Sequence, residues 1–131
     1  MANFVPGGEA RGPVVQGFVG EGFSVAGVVY RGLLITPESA AEWSAPALDA
    51  LTPQSIAPVL AIEPPPEFLI LGTGATHRFP PRPFIAALES RGIGVETMDS
   101  RAAARTWGLL RGEERWIVAA LMPLRSGDRS E

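Results

Sequence analysis

The sequence predicts a single α/β domain built on a mixed sheet. Three observations carry this. The 131 residues are 46% hydrophobic and 19% charged, which is ordinary globular composition with enough apolar surface for one buried core. The second half reads β–loop–α–β–α–β, the order of a parallel βαβ unit. The stretch before residue 37 reads as short strands broken at glycines.

The elements follow in chain order. Residues 1–13 are rich in Gly and Pro and are expected to form a flexible arm. The domain is expected over 14–124, with a frayed polar tail at 125–131. Val14–Phe18 predicts a strand, and Gly20-Glu21-Gly22 is turn chemistry because glycine permits positive φ. Phe23 to Tyr30 predicts one returning strand. Arg31-Gly32 then turns the chain into Leu33–Thr36, which makes a hairpin or three-stranded meander.

Residues 37–66 contain seven prolines. Pro37–Trp43 predicts a short helical turn. Thr52-Pro53 is a helix start, a hydroxyl cap followed by Pro at the first helical position. Phe68–Leu71 is apolar without alternation, as a strand covered on both faces requires. Gly72-Thr73-Gly74 follows as a loop. A helix is expected over 81–91, with Phe84, Ile85 and Leu88 inward and Gly92 as its stop. Val95–Met98 predicts a strand. Asp99 or Ser100 caps a helix over 100–111, in which Ala103, Trp107 and Leu110 form an apolar stripe and which Gly112 ends. Arg115–Leu121 is the last strand. The short turn before it lets it pair antiparallel elsewhere, hence a mixed sheet.

Composition excludes several chemistries. There is no cysteine, so disulfides, thiolate nucleophiles and iron–sulfur clusters are excluded. Lysine is absent, which removes Schiff-base chemistry. His77 is the only histidine, which leaves a poor ligand set for a transition metal, and no cofactor is expected. Net charge is −3 with scattered arginines, against the basic patch of a nucleic-acid binder. No apolar run reaches the ~18–20 residues of a membrane span, and the N-terminus lacks a signal pattern. A cytoplasmic location is expected. No nucleophile elbow or triad spacing is present, so the reading leans away from an enzyme.

If the strands ending at Leu71 and Met98 are parallel, Gly72, Thr73, Gly74, Asp99 and Ser100 share one sheet edge, where open α/β sheets bind ligands. Gly72-Thr73-Gly74 lacks the third glycine of a dinucleotide fingerprint and any Gly-Lys-Ser/Thr element. Asp99 reads first as a helix cap and second as a polar anchor in a cleft. Arg101 and Arg105 lie four apart on one helix face and suit a carboxylate or an acidic partner. Glu113-Glu114-Arg115 marks the turn into the last strand.

Several short motifs occur together in order: Gly72-Thr73-Gly74, Met98-Asp99-Ser100, Ala103-Ala104-Arg105-Thr106, and Glu113 with Arg115. With GFSVAGVVYRGLLITPESAAEW before them, they resemble an uncharacterised domain family. Its eukaryotic members include the mitochondrial assembly factor 3 for respiratory complex I and an adipogenesis-associated protein. The resemblance covers residues 14–122. Gly108 stands where the family usually has Asn, and Glu114 where glycine is common, which suggests a different local turn. The resemblance implies a three-layer α/β fold with a central mixed sheet and an N-terminal β-hairpin extension. It implies a non-catalytic interaction or assembly factor for a respiratory or other membrane complex, with a protein partner that is membrane-associated. The binding residues to be expected are Gly72, Thr73, Gly74, Asp99, Ser100, Arg105, Thr106, Glu113 and Arg115. One alternative is a small-molecule binder or enzyme using the Gly72–Gly74 and Asp99 cleft. Another is a domain whose homo-oligomer interface is its main functional surface.

Overall fold

The computed structural model describes residues 12–125. The expected arm and tail lie almost wholly outside them. Three short strands, β1 (Gly17–Val19), β2 (Gly22–Val25) and β3 (Val28–Tyr30), form an antiparallel sheet. The expected single strand from Phe23 to Tyr30 is broken in two by a turn at Ala26 and Gly27. Both take positive φ, 51° and 84°, as a tight two-residue hairpin of the primed type requires.

The main sheet has five strands in the order β5-β4-β8-β6-β7. These are β4 (Leu33–Ile35), β5 (Ala40–Glu42), β6 (Phe68–Gly72), β7 (Gly94–Met98) and β8 (Val118–Leu121). β8 runs parallel to β6 and antiparallel to β4, and β6 runs parallel to β7. The mixed sheet is as expected, but Leu33–Ile35 joins it as β4 between β5 and β8 and does not continue the N-terminal meander, and the last strand is Val118–Leu121, shorter than the expected Arg115–Leu121. The helical turn expected at Pro37–Trp43 is not formed, because Ala40–Glu42 pairs with β4 as β5. Thr36 makes the bend: its hydroxyl accepts the backbone N–H groups of Glu38 and Ser39 at 3.1 and 3.0 Å. That leaves Ala40 aligned for the ladder, and tertiary pairing overrides a composition that favours helix.

Side-chain alternation explains the layers. Leu69 and Leu71 of β6, Val118 and Ala120 of β8, and Leu34 of β4 bury toward one face. That face is covered by helix α2 (Arg82–Glu89), by a 3₁₀ turn at Pro53–Ile56 and by the short helix α1 (Ala57–Leu60). Leu33, Ile35, Ile70, Ala119 and Leu121 bury toward the other face. Helix α3 (Ser100–Gly112) and the small sheet, through Phe23 and Val25, cover it. With period two, both faces of a strand must be apolar when both are covered.

The two long helices end in the same way. At α2, Ile93 N–H reaches back to Leu88 O and Gly92 N–H to Glu89 O, with Gly92 at φ 80°. At α3, Arg115 N–H reaches Leu110 O and Glu114 N–H reaches Arg111 O, with Glu114 at φ 61°. Each is the left-handed cap that closes orphan carbonyls. The stop of α3 is therefore Glu114, two residues beyond Gly112. A glutamate there adopts the conformation a glycine takes without strain, so the residue change does not require a different turn. Glu114→Gly is expected to stabilise the domain by about 0.5–1 kcal/mol, the relief of left-handed strain less the added freedom of the unfolded chain. Chemical denaturation of the two proteins checks this.

Candidate functional site

The joint between β6 and α3 is built on a close approach. A side chain at Gly72 would place its Cβ 2.7 Å from Ser100 Oγ and 2.9 Å from Ser100 Cα, so only glycine lets the start of α3 sit on the end of β6. Ser100 is fully buried. Its hydroxyl accepts from Gly74 N–H at 2.9 Å and donates to Met122 O at 2.8 Å. Its own N–H donates to Gly74 O at 2.8 Å. One hydroxyl thus ties together the ends of β6 and β8 and the first turn of α3.

Thr73 is also fully buried. Its N–H donates to Met98 O at 2.9 Å. Its hydroxyl donates to Thr76 O at 2.7 Å and accepts from Arg78 N–H at 3.0 Å. Asp99 turns back onto its own helix, accepting from Ala102 N–H at 2.9 Å, as an N-cap does. The structure brings Gly72, Thr73, Gly74, Asp99 and Ser100 together as the sequence suggests. Their polar groups are bonded to one another and to the neighbouring backbone of Thr76, Arg78, Met98, Ala102 and Met122, which makes a packed joint.

The other expected residues lie elsewhere. The Thr106 hydroxyl points to Met98 Sδ at 3.4 Å. Arg105 is exposed midway along α3. Its helix neighbour Arg101 places its guanidinium 5.7 Å from the Phe18 ring centroid, against the small sheet. Glu113 and Arg115 lie beyond the far end of α3, about 20 Å from Asp99 at 1.5 Å per residue. There Arg115 pairs with Glu67 at 2.8 Å and lies 5.6 Å from the Phe68 ring centroid. The hydrogen bond from Arg115 holds the Glu67 carboxyl below its ordinary value of 4.5. Beneath that turn the buried Arg111 donates to Arg115 O at 2.6 Å.

A groove of about 530 Å³ lies beside the packed joint. Its walls come from the β3–β4 turn, the segment after β5, the β6–α2 loop and the chain after β8. Arg31, Arg78 and Arg125 line it with Glu42, Trp43 and Ser44. Sequence reasoning did not select any of these, because they come from four separated segments. Three of the four segments carry an arginine, Arg31, Arg78 and Arg125, and the segment after β5 carries none. Both Glu42 oxygens are engaged by backbone, accepting from Arg31 N–H at 3.1 Å and Gly32 N–H at 3.2 Å. Among the described residues no three His, Cys, Asp or Glu side chains converge as metal ligands, and no helix is long and apolar enough to cross a membrane.

Residues 15–122 match the family described as "Protein of unknown function (DUF498/DUF598)". The chain is 30% identical over 121 residues to the zebrafish (Danio rerio) NADH dehydrogenase [ubiquinone] 1 alpha subcomplex assembly factor 3, covering 92% of this chain and 70% of that protein. The bovine (Bos taurus) factor of the same name is 31% identical over 115 residues, and the chain spans only 62% of its length. An uncharacterised protein of Rhodobacter capsulatus is 35% identical over 103 residues, 78% of this chain and 77% of that one. Among solved structures, a Bordetella parapertussis protein superposes with a TM-score of 0.77 at 29% identity, covering 86% of this chain and 97% of that chain. A Mth938-like domain from Bordetella pertussis superposes at 0.72 with 25% identity, covering 94% and 90%. The likeness spans both sheets and both long helices, and the chain belongs to the DUF498/DUF598 family.

Proposed function

We propose that this domain is a protein-binding assembly factor that serves a membrane complex of the respiratory type, engaging it from outside the bilayer. The observation that carries the reading is the extent of the likeness to the vertebrate assembly factors. It covers 92% of this chain, so what the two share is the whole domain. A second support is the use of polar groups at the sheet edge. In a small-molecule site, a few polar groups converge on open space. Here Ser100 and Thr73 are satisfied within the fold, which favours a rigid scaffold over a reaction centre.

Deleting the gene from the source organism and resolving its detergent-solubilised membranes on native gels tests the reading. The expected result is a loss of one fully assembled complex, with its subcomplexes accumulating, and recovery on re-expression. Normal amounts of every assembled respiratory complex would contradict it.

A further inference from the structure

We infer that the open edge of β7, with the apolar pocket beside it, is a strand-addition site for an extended partner segment that alternates apolar and basic side chains. This deepens the assembly reading and rests on it for the partner being a protein. β7 ends the main sheet, and no described strand pairs with its outer side. Gly94 N–H donates to Glu67 O at 3.4 Å, and Met98 O accepts from Thr73 N–H at 2.9 Å. Backbone groups alternate in direction along a strand, so Gly94, Glu96 and Met98 bond toward β6. Val95 and Thr97 therefore turn both their N–H and their C=O groups outward. Such a row is a template for another strand.

The pocket lies beside that row. Val95 packs with the core under α2, and Met98 with the core under α3. Val95 and Thr97 thus face the α2 layer, and Glu96 faces the α3 layer. Phe84 and Leu88 point from α2 into the core. The Pro83 flank of α2 faces residues 49–53, and α1 beyond them packs over β8 and β4. The opposite flank of α2 therefore lies toward the β7 edge. On that flank Phe79, Pro80, Ile85 and Ala86 line a pocket of about 510 Å³, with Arg82 and Glu89 as its charged members. Phe79 is 76% exposed, and it is linked to the strand. Its ring centroid lies 4.7 Å from that of His77, whose Nε2 is bonded to Thr97 Oγ1 at 2.9 Å.

Glu96 decides what can pair there. Its side chain is exposed in the middle of the strand. A second copy of this chain could use all the outward groups in one twofold register, Val95 opposite Thr97 and Thr97 opposite Val95. That register sets Glu96 directly opposite Glu96, about 4.5 Å apart at Cα, and like charges so placed are destabilising. A strand with Arg or Lys at that place gains where a second copy loses. Its neighbouring side chains fall on the α2 face beside Val95 and Thr97, where an apolar group reaches the pocket of Phe79 and Ile85. Edge hydrogen bonds hold such a segment, and the pocket and Glu96 select its side chains.

The test is fluorescence anisotropy with the full chain. The probe is a short labelled peptide of alternating Val and Arg, and its control alternates Val and Glu. The Arg peptide is expected to bind and the Glu peptide to bind at least fivefold more weakly. Phe79→Ala is expected to weaken the Arg peptide about fivefold to tenfold, as for an aromatic anchor. Glu96→Lys is expected to weaken the Arg peptide about fivefold and to strengthen the Glu peptide by a similar factor, a gain that misfolding cannot mimic. A strand turns one edge to β7, so N-methylation of one alternate set of peptide amides abolishes binding and of the other set leaves it. Binding that survives both methylations, no binding of the Arg peptide, or binding indifferent to Phe79→Ala and Glu96→Lys overturns the inference. So does a free chain that sediments as a dimer and is split by the peptide, which would give the edge to a second copy. Peptide failure with a complex lost on gene deletion removes this inference alone. Peptide failure with every complex intact after deletion removes both readings.

Discussion

Trp107→Ala is expected to destabilise the domain by about 3–5 kcal/mol, the range for truncating a large buried aromatic. Trp107 is fully buried and belongs to the core between α3 and the main sheet. The same core includes Ala103 and Ala104 of the helix and Ala119 of β8, and Trp107 is the largest fully buried side chain among the described residues, so its truncation leaves a large cavity. The indole N–H also donates to Pro13 O at 2.9 Å, tying the start of the domain to α3. Trp107→Phe separates the two roles. It keeps most of the ring and is expected to cost about 1–2 kcal/mol, including the unsatisfied carbonyl, with faster amide exchange around residues 14–16. Against a total of about 5–15 kcal/mol for a domain of this class, the alanine variant loses about a fifth or more of its stability. A guanidinium titration reads this as a lower midpoint at unchanged slope.

Ser100→Ala is expected to cost about 2–4 kcal/mol, although only one oxygen is lost. That oxygen satisfies a buried donor and a buried acceptor at once, Gly74 N–H and Met122 O. Both lie where water cannot replace it, and each orphaned group carries a penalty of about 1–3 kcal/mol. Coupling to Gly72 provides an internal control. Gly72→Ala drives a Cβ against Ser100 Oγ in the native chain. In the Ser100→Ala background part of that clash is gone, so the two changes together cost less than their sum. Equal and additive losses, measured by denaturation of the four proteins of the cycle, would mean the joint is looser than described.

These residues show what was legible in the sequence. The elements with local chemistry could be read directly. Asp99 caps α3, Gly92 stops α2, and the apolar run at Phe68–Leu71 pairs in parallel with the run at Val95–Met98, whereas the last strand, expected over Arg115–Leu121 and free to pair antiparallel, is the shorter β8 and runs parallel to β6 and antiparallel to β4. Where the outcome depends on distant pairing, local reading failed. Ala40–Glu42 looks helical and becomes a strand because β4 is beside it. The run from Phe23 to Tyr30 looks continuous and folds back on itself at Ala26-Gly27.

The candidate site divides in the same way. Gly72–Gly74 and Asp99–Ser100 are neighbours because parallel strands put their C-terminal ends on one edge, which the element order already implies. Glu113 and Arg115 sit at the opposite end because a strand after an antiparallel helix starts where the helix stops. The arginine groove could not be read, because Arg31, Arg78 and Arg125 are brought together only by the folded sheet and its turns.

Quantitative affinity capture from solubilised membranes of the source organism tests most directly whether this domain holds a protein partner, with the folded chain as bait and the same chain denatured before coupling as control. Subunits of one membrane complex are expected to co-purify with the folded bait and not with the control. Equal recovery of those subunits by both baits, or recovery of none by either, would contradict the assembly reading.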